Sequence, residues 1–214
     1  WRGWWDYGTG ALGDMACHTC NLPFMALNMR DPIAVEADCP EHDHDSYPSR
    51  SKIKFDFPEL DGRPAFTMYW YDGGNLPPQE LFSDVTLEVD DDGQKVPPPF
   101  QSGVLLIGDR AKMYAAGDYA DRGIQTVGAE EMDVDYPKSP GHEKEWFIAM
   151  RDSSKPAMSN FPNYSGPLTE TILLGNLAVW KRGRVEWDPV NLKSLNDPSL
   201  AKIVRSEYRD GYEV

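Results

Sequence analysis

The chain has 214 residues, 40% of them hydrophobic and 12% aromatic, with a formal net charge of -14 at pH 7. That length suits one large domain with a real core, while the acidity argues against duplex nucleic acid and anionic membrane surfaces, which both call for clustered Lys and Arg. No apolar run approaches the roughly 20 residues of a membrane span, and the three cysteines, an odd set, argue against a disulfide-stapled scaffold.

The opening WRGWWDYG is aromatic and motif-like and follows no signal-peptide pattern, so the sequence is expected to begin inside a longer protein and to form one domain over 1–214. Residues 10–29 show helical spacing of Leu12, Met15, Ala16, Thr19, Leu22, Phe24 and Met25, with a break or kink at Pro23. After the turn signal Asp31-Pro32, residues 33–37 read as a strand. SKIKFDF at 51–57 alternates strictly, as a half-buried strand does, and AFTMYWYD at 65–72 is its expected antiparallel partner across a turn at Asp61-Gly62.

Residues 73–102 carry Gly and many Pro, including Pro97, Pro98 and Pro99, and the acidic run Asp90–Asp92; they read as a long irregular excursion with a solvated tip. Residues 103–117 read as a hairpin turning at Gly108-Asp109. Helices are expected from His142 and over 166–183, the latter with Pro167 in its first turn and Gly183 as its cap. RVEWD is a short strand, and a last helix is expected after Asp197 as N-cap and Pro198.

Gly8, Gly10 and Gly13 spell G-x-G-x-x-G before a helix, with Glu36 and Asp38 about where an acidic residue would hold a ribose. The context is wrong for a dinucleotide loop, because the preceding WRGWWDY has none of the apolar β-branched character of a buried parallel strand and no βαβ units follow. The glycines are better read as letting an aromatic loop turn tightly into a helix.

Asp14 and His18 lie four apart and so share a helix face. A carboxylate beside an imidazole that titrates near neutral pH is a unit for proton transfer, though the same spacing also serves surface contacts. A competing reading pairs Cys17 and Cys20 with Cys39 and His42, four ligands at spacings that hold structural zinc, with His44 as a spare; it would make the chain a binding or scaffold module. A pure assembly element is a third possibility.

WRGWWDYGTGALGDMACH, with SKPAMSNF, YSGPLTETILLGNLAV, RVEWDP and the NDP and EYRDGYEV of the tail, resembles the Gfo/Idh/MocA family over essentially the whole chain, specifically the second, C-terminal domain of its bacterial branch. The resemblance implies an α+β fold of the glyceraldehyde-3-phosphate-dehydrogenase-like C-terminal type, an open, mainly antiparallel β-sheet with helices packed on one face. It implies a substrate-binding and oligomerisation domain of an NAD- or NADP-dependent oxidoreductase that oxidises a secondary alcohol of a sugar, polyol or glycoside by hydride transfer, in some relatives as part of glycoside cleavage. The cofactor would be held by a separate N-terminal Rossmann domain, leaving this domain alone without cofactor or activity, and the sheet would join copies into a homo-oligomer. Asp14 and His18 match the family's active-site acid and histidine, with Ala16 where glycine is often expected. Lys155-Pro156 is not the family's Glu-Lys-Pro lysine, which belongs to the N-terminal domain. Trp4, Trp5 and Tyr7 are candidates for stacking on sugar rings and Arg2, Asp6 and Asn160 for bonding hydroxyls, the tryptophans having core or interface packing as their alternative. The branch points to a bacterial protein of the periplasm or the cytoplasm.

Overall fold

The alternation in SKIKFDF commits Ile53, Phe55 and Phe57 to one face of a strand, and all three are buried at 2% exposure or less. The computed structural model describes residues 1–60, 62–85, 102–130, 133–205 and 207–212. Its elements are α1 (Gly10–Thr19), α2 (Asn21–Leu27), β1 (Ala34–Asp38), β2 (Lys52–Phe57), β3 (Phe66–Tyr71), β4 (Gly103–Ile107), β5 (Lys112–Ala116), β6 (Arg122–Val127), α3 (His142–Arg151), α4 (Gly166–Lys181), β7 (Arg184–Asp188), β8 (Lys193–Ser194) and α5 (Ala201–Val204).

Five strands form an open antiparallel sheet in the order β3-β2-β1-β7-β8, and β4-β5-β6 form a second, smaller one. On the inner face of the large sheet the register sets Met68, Phe55, Val35 and Val185 in one row. Helix α4 lies across β1, β2 and β7, and α1 packs beside it. The expected fold class, an open antiparallel sheet with helices on one face, is the one observed. Gly175 is the point of closest approach: a Cβ there would stand 2.4 Å from Leu12 Cδ2 and 2.9 Å from Phe55 Cζ.

The outer face is a charge ladder. Lys52 faces Asp38 and Tyr71, while Glu36 faces Lys54 on one side and Arg184 on the other. Asp56 accepts from Arg184 Nη1 at 3.0 Å and Thr67 Oγ1 at 3.2 Å and pairs with Lys54 at 3.0 Å. Burial pushes the Asp56 carboxyl up, but the hydrogen bonds from Arg184 and Lys54 outweigh it and hold it below the usual aspartate value.

Several boundaries differ from the sequence reading. The first helical stretch breaks at Cys20 rather than Pro23, which sits in the first turn of α2, where its missing N–H is no loss. The left-handed residue ending α4 is Arg182 (φ 56°), one before Gly183. Strand β6 and the two-residue β8 are additional, and the final helix is a 3-10 turn, Pro198–Leu200, capped by Asp197 and followed by the short α5. Asp61, the Asp90–Asp92 run and Pro97–Pro99 lie outside the described residues.

Two outcomes follow. Gly175→Ala, which in an open helix would gain up to about 1 kcal/mol, is expected to lose about 1–3 kcal/mol from overpacking between Leu12 and Phe55, read from urea unfolding. The folded pKa of Asp56 is depressed, so its stabilisation is present above the ordinary carboxylate value near 4 and is lost as pH falls through the lower folded value. The stability gap between wild type and Asp56→Asn is therefore expected to be constant near neutrality and to close below about pH 4.

Candidate functional site

Nine residues of irregular chain precede α1, and no strand leads into it among them. They are zipped to the loop before β2: Trp5 N donates to Asp45 O at 3.0 Å and Tyr47 N to Gly3 O at 2.8 Å. Trp5 stacks on Tyr47 at 3.8 Å between ring centroids and meets Trp180 of α4 edge-on at 5.0 Å. His42 Nε2 and His44 Nε2 in turn bond the last carbonyls of α4, Val179 O at 2.9 Å and Trp180 O at 3.0 Å. Asn176, buried on α4, donates to Thr9 O at 2.9 Å and so holds the start of α1.

The glycine motif has its explanation in this packing. Gly10 takes φ 67° and lies against the Tyr47 ring, where a Cβ would stand 2.6 Å from Cδ1. A Cβ on Gly8 would meet the Arg2 backbone at 2.6 Å, and one on Gly13 the Thr9 hydroxyl at 2.1 Å. The loop is filled by the chain's own atoms and offers no cradle for a pyrophosphate, whose binding needs open backbone N–H groups at a helix start.

Along α1, about 15 Å long, the polar face carries Asp14 and then His18. Asp14 pairs with Arg2 Nη1 at 2.9 Å, and its carboxylate is 30% exposed. His18 is exposed, and its ring lies 4.9 Å from that of Tyr119. Among the described residues no hydrogen bond or ion pair joins Asp14 to His18; Arg2 takes the carboxylate that the spacing alone assigned to the imidazole. The turn between β5 and β6 is brought to this helix end by Thr19, whose buried hydroxyl donates to Asp118 O at 2.8 Å across 99 positions. Tyr119, 60% exposed, thereby becomes a wall beside His18. Nothing in the sequence signalled it, since its position depends on the docking of a separate hairpin.

The other candidates divide into two groups. Arg2, Trp4 (52% exposed), Asp6 and Tyr7 (71%) present their side chains to solvent around the N-terminal end of α1. Trp5 and Asn160 are engaged in structure. Trp5 is sandwiched as described, and Asn160 caps the turn Phe161–Ser165, its Oδ1 accepting from Asn163 N at 3.0 Å and its Nδ2 donating to Ala157 O at 3.1 Å. Tyr164 in that turn donates to Asn21 Oδ1 at 2.6 Å, just beyond the His18 end of α1.

The zinc reading does not survive. Among the described residues no group of three His, Cys, Asp or Glu side chains comes together to hold a metal ion. Cys20 is buried with its Sγ 3.9 Å from Met68 Sδ, and burial, with Cys17 adding, pushes its thiol up to about 12. His42 spends its Nε2 on the end of α4.

Residues 1–77 match the family model described as "Oxidoreductase family, C-terminal alpha/beta domain" of the Gfo/Idh/MocA type. The match spans α1 through β3, so it contains the polar face of α1 and the loop around it. No curated protein matches the chain.

Gly10→Ala tests the packing account of the glycine turn. With positive φ and the Tyr47 ring in the way, it is expected to destabilise the protein by about 1–3 kcal/mol in urea unfolding, whereas a mere linker glycine would tolerate alanine within about 0.5 kcal/mol.

Proposed function

We propose, from the match of residues 1–77 to the C-terminal alpha/beta domain of an oxidoreductase family, that the chain is the substrate-binding domain of an NAD- or NADP-dependent enzyme that oxidises a secondary alcohol of a sugar, polyol or glycoside. The observation that carries this reading is the exposed imidazole of His18, set between Tyr119 and the Arg2–Asp14 pair on the polar face of α1.

The glycine loop does not fit a dinucleotide, so the nicotinamide group that exchanges hydride belongs to an N-terminal Rossmann domain of the same protein, working against this one. This chain's residues bind and orient the alcohol and handle its proton. A nicotinamide bound by that domain would supply the hydride acceptor, and His18, exposed on the polar face of α1, is the group placed to take the hydroxyl proton as the alcohol becomes a carbonyl and to return it in reduction.

Asp14 accepts from substrate hydroxyls while Arg2 both balances its charge and donates to a neighbouring oxygen. Trp4, Tyr7 and Tyr119 offer exposed rings to the apolar faces of a sugar, and Asp6 is a further acceptor. Trp5 and Asn160 act one step back, holding the loops on either side. The outer face of the large sheet, with Tyr69 and Tyr71 beside Lys52, is the proposed homo-oligomer surface.

Three measurements test this. The 214-residue chain alone is expected to bind neither NAD(H) nor NADP(H) in calorimetry, while the full-length protein binds one of them; binding by the chain alone would overturn the division of labour. In the full-length enzyme His18→Ala is expected to lower kcat about 10²–10⁴-fold with an unchanged melting temperature, since the ring is exposed. Unchanged turnover would sink the proton-transfer role. Tyr119→Ala is expected to raise KM and leave kcat nearly intact.

A further inference from the structure

Helix α3 has no buried residue. Glu145 ties it to the chain on either side, accepting from the Ser139 hydroxyl and from Met158 N at 3.1 Å. Glu145 and Ala149 on that side are half-buried, and the opposite side carries Glu143, Trp146, Phe147 and Met150 at i, i+3, i+4 and i+7. Trp146 is 64% exposed, Phe147 54% and Met150 69%, with the two rings nearly parallel at 6.4 Å between centroids. Met158 (51%) and Phe161 (81%) extend the apolar surface beyond the helix.

We propose that this face is an interface between two copies of the chain, packed α3 against α3 in antiparallel fashion about a twofold axis at Phe147. Three observations select a second copy as the occupant. The first is area: taking about 150–250 Å² for a large side chain, Trp146, Phe147, Met150, Met158 and Phe161 expose roughly 500–800 Å², which approaches the roughly 800 Å² that one partner contributes to a standard interface. The second is self-complementarity: the first turn carries Glu143 and Glu145 and the last turn Arg151. Phe147 lies midway between Glu143 and Arg151, so an antiparallel copy centred there sets each Glu143 beside the other copy's Arg151 and opposes the two helix dipoles.

The third is local charge. A chain of net charge -14 repels its copies over most of its surface, yet residues 142–155 carry Glu143, Glu145 and Asp152 against Lys144, Arg151 and Lys155 and sum to zero. The apolar contact supplies the affinity; the exposed ion pairs, worth about 0.2–1 kcal/mol each, set direction and register.

The test is the molar mass of the full-length protein at micromolar concentration by sedimentation equilibrium. Trp146→Ala with Met150→Ala is expected to halve the particle mass, whether or not the sheet face adds a second twofold, with unchanged far-ultraviolet dichroism because α3 buries nothing within one copy. Glu143→Arg alone is expected to weaken association severalfold, and Glu143→Arg with Arg151→Glu to restore it. A wild-type particle that is monomeric, or one whose mass the Trp146/Met150 variant leaves unchanged, overturns the proposal, and protection of α3 from hydrogen exchange in such a monomer would assign the face to another domain of the protein. Failure of the double reversal to rescue the single one overturns the antiparallel register. None of these results bears on His18, so the oxidoreductase reading stands or falls separately.

Discussion

Helix α4 meets its surroundings on nearly every side, and Gly175 is the contact that makes this geometry possible. Without a Cβ at that position α1 and β2 converge on α4 through Leu12 and Phe55. Close packing of this kind leaves no slack, and a single methyl must displace a neighbour. Each end of the arrangement is then tied by a polar device. Asn176 holds Thr9 at the start of α1, and His42 and His44 bond Val179 O and Trp180 O in the last turn of α4, the first of which also accepts from Arg182 N. The loop of residues 42–47 therefore serves the helix end and, through Tyr47, the glycine turn as well.

The candidate site follows from that order. A helix whose apolar side is locked against α4 must present the opposite side outward, so Asp14 and His18 reach the surface while Leu12 and Ala16 are buried at 3% and 0% exposure. The aromatic loop before it divides the same way. Trp5 is used up in packing, and Trp4 and Tyr7 are left exposed to solvent. The large sheet shows the same division of labour, with an apolar inner row under α4 and an outer ladder in which opposite charges face one another across β1, β2 and β7. Lys52, Lys54 and Arg184 balance the acidic residues of that face.

How much of this was legible varies with the range of the interaction. The β2 strand and its pairing with β3 were readable because period-two alternation is a local property. So were α3, α4 and the hairpin of β4 and β5. The break at Cys20 was missed because Pro23 is the louder signal, although proline is tolerated in a first turn. Strand β8 is too short to have a pattern and exists through its pairing with β7.

By itself the sequence determined the helix face bearing Asp14 and His18 and the lack of strand character in WRGWWDY, since both depend on the character and spacing of neighbouring residues, and its resemblance to a family carried the class of fold. Only the tertiary structure decided that Asp14 pairs with Arg2 rather than His18, that Tyr119 stands beside the imidazole, that Cys20 and His42 are committed elsewhere, and that the aromatic face of α3 is left uncovered. Those outcomes join residues through space, and a partner reached across 99 positions leaves no periodic trace in the chain that encodes it.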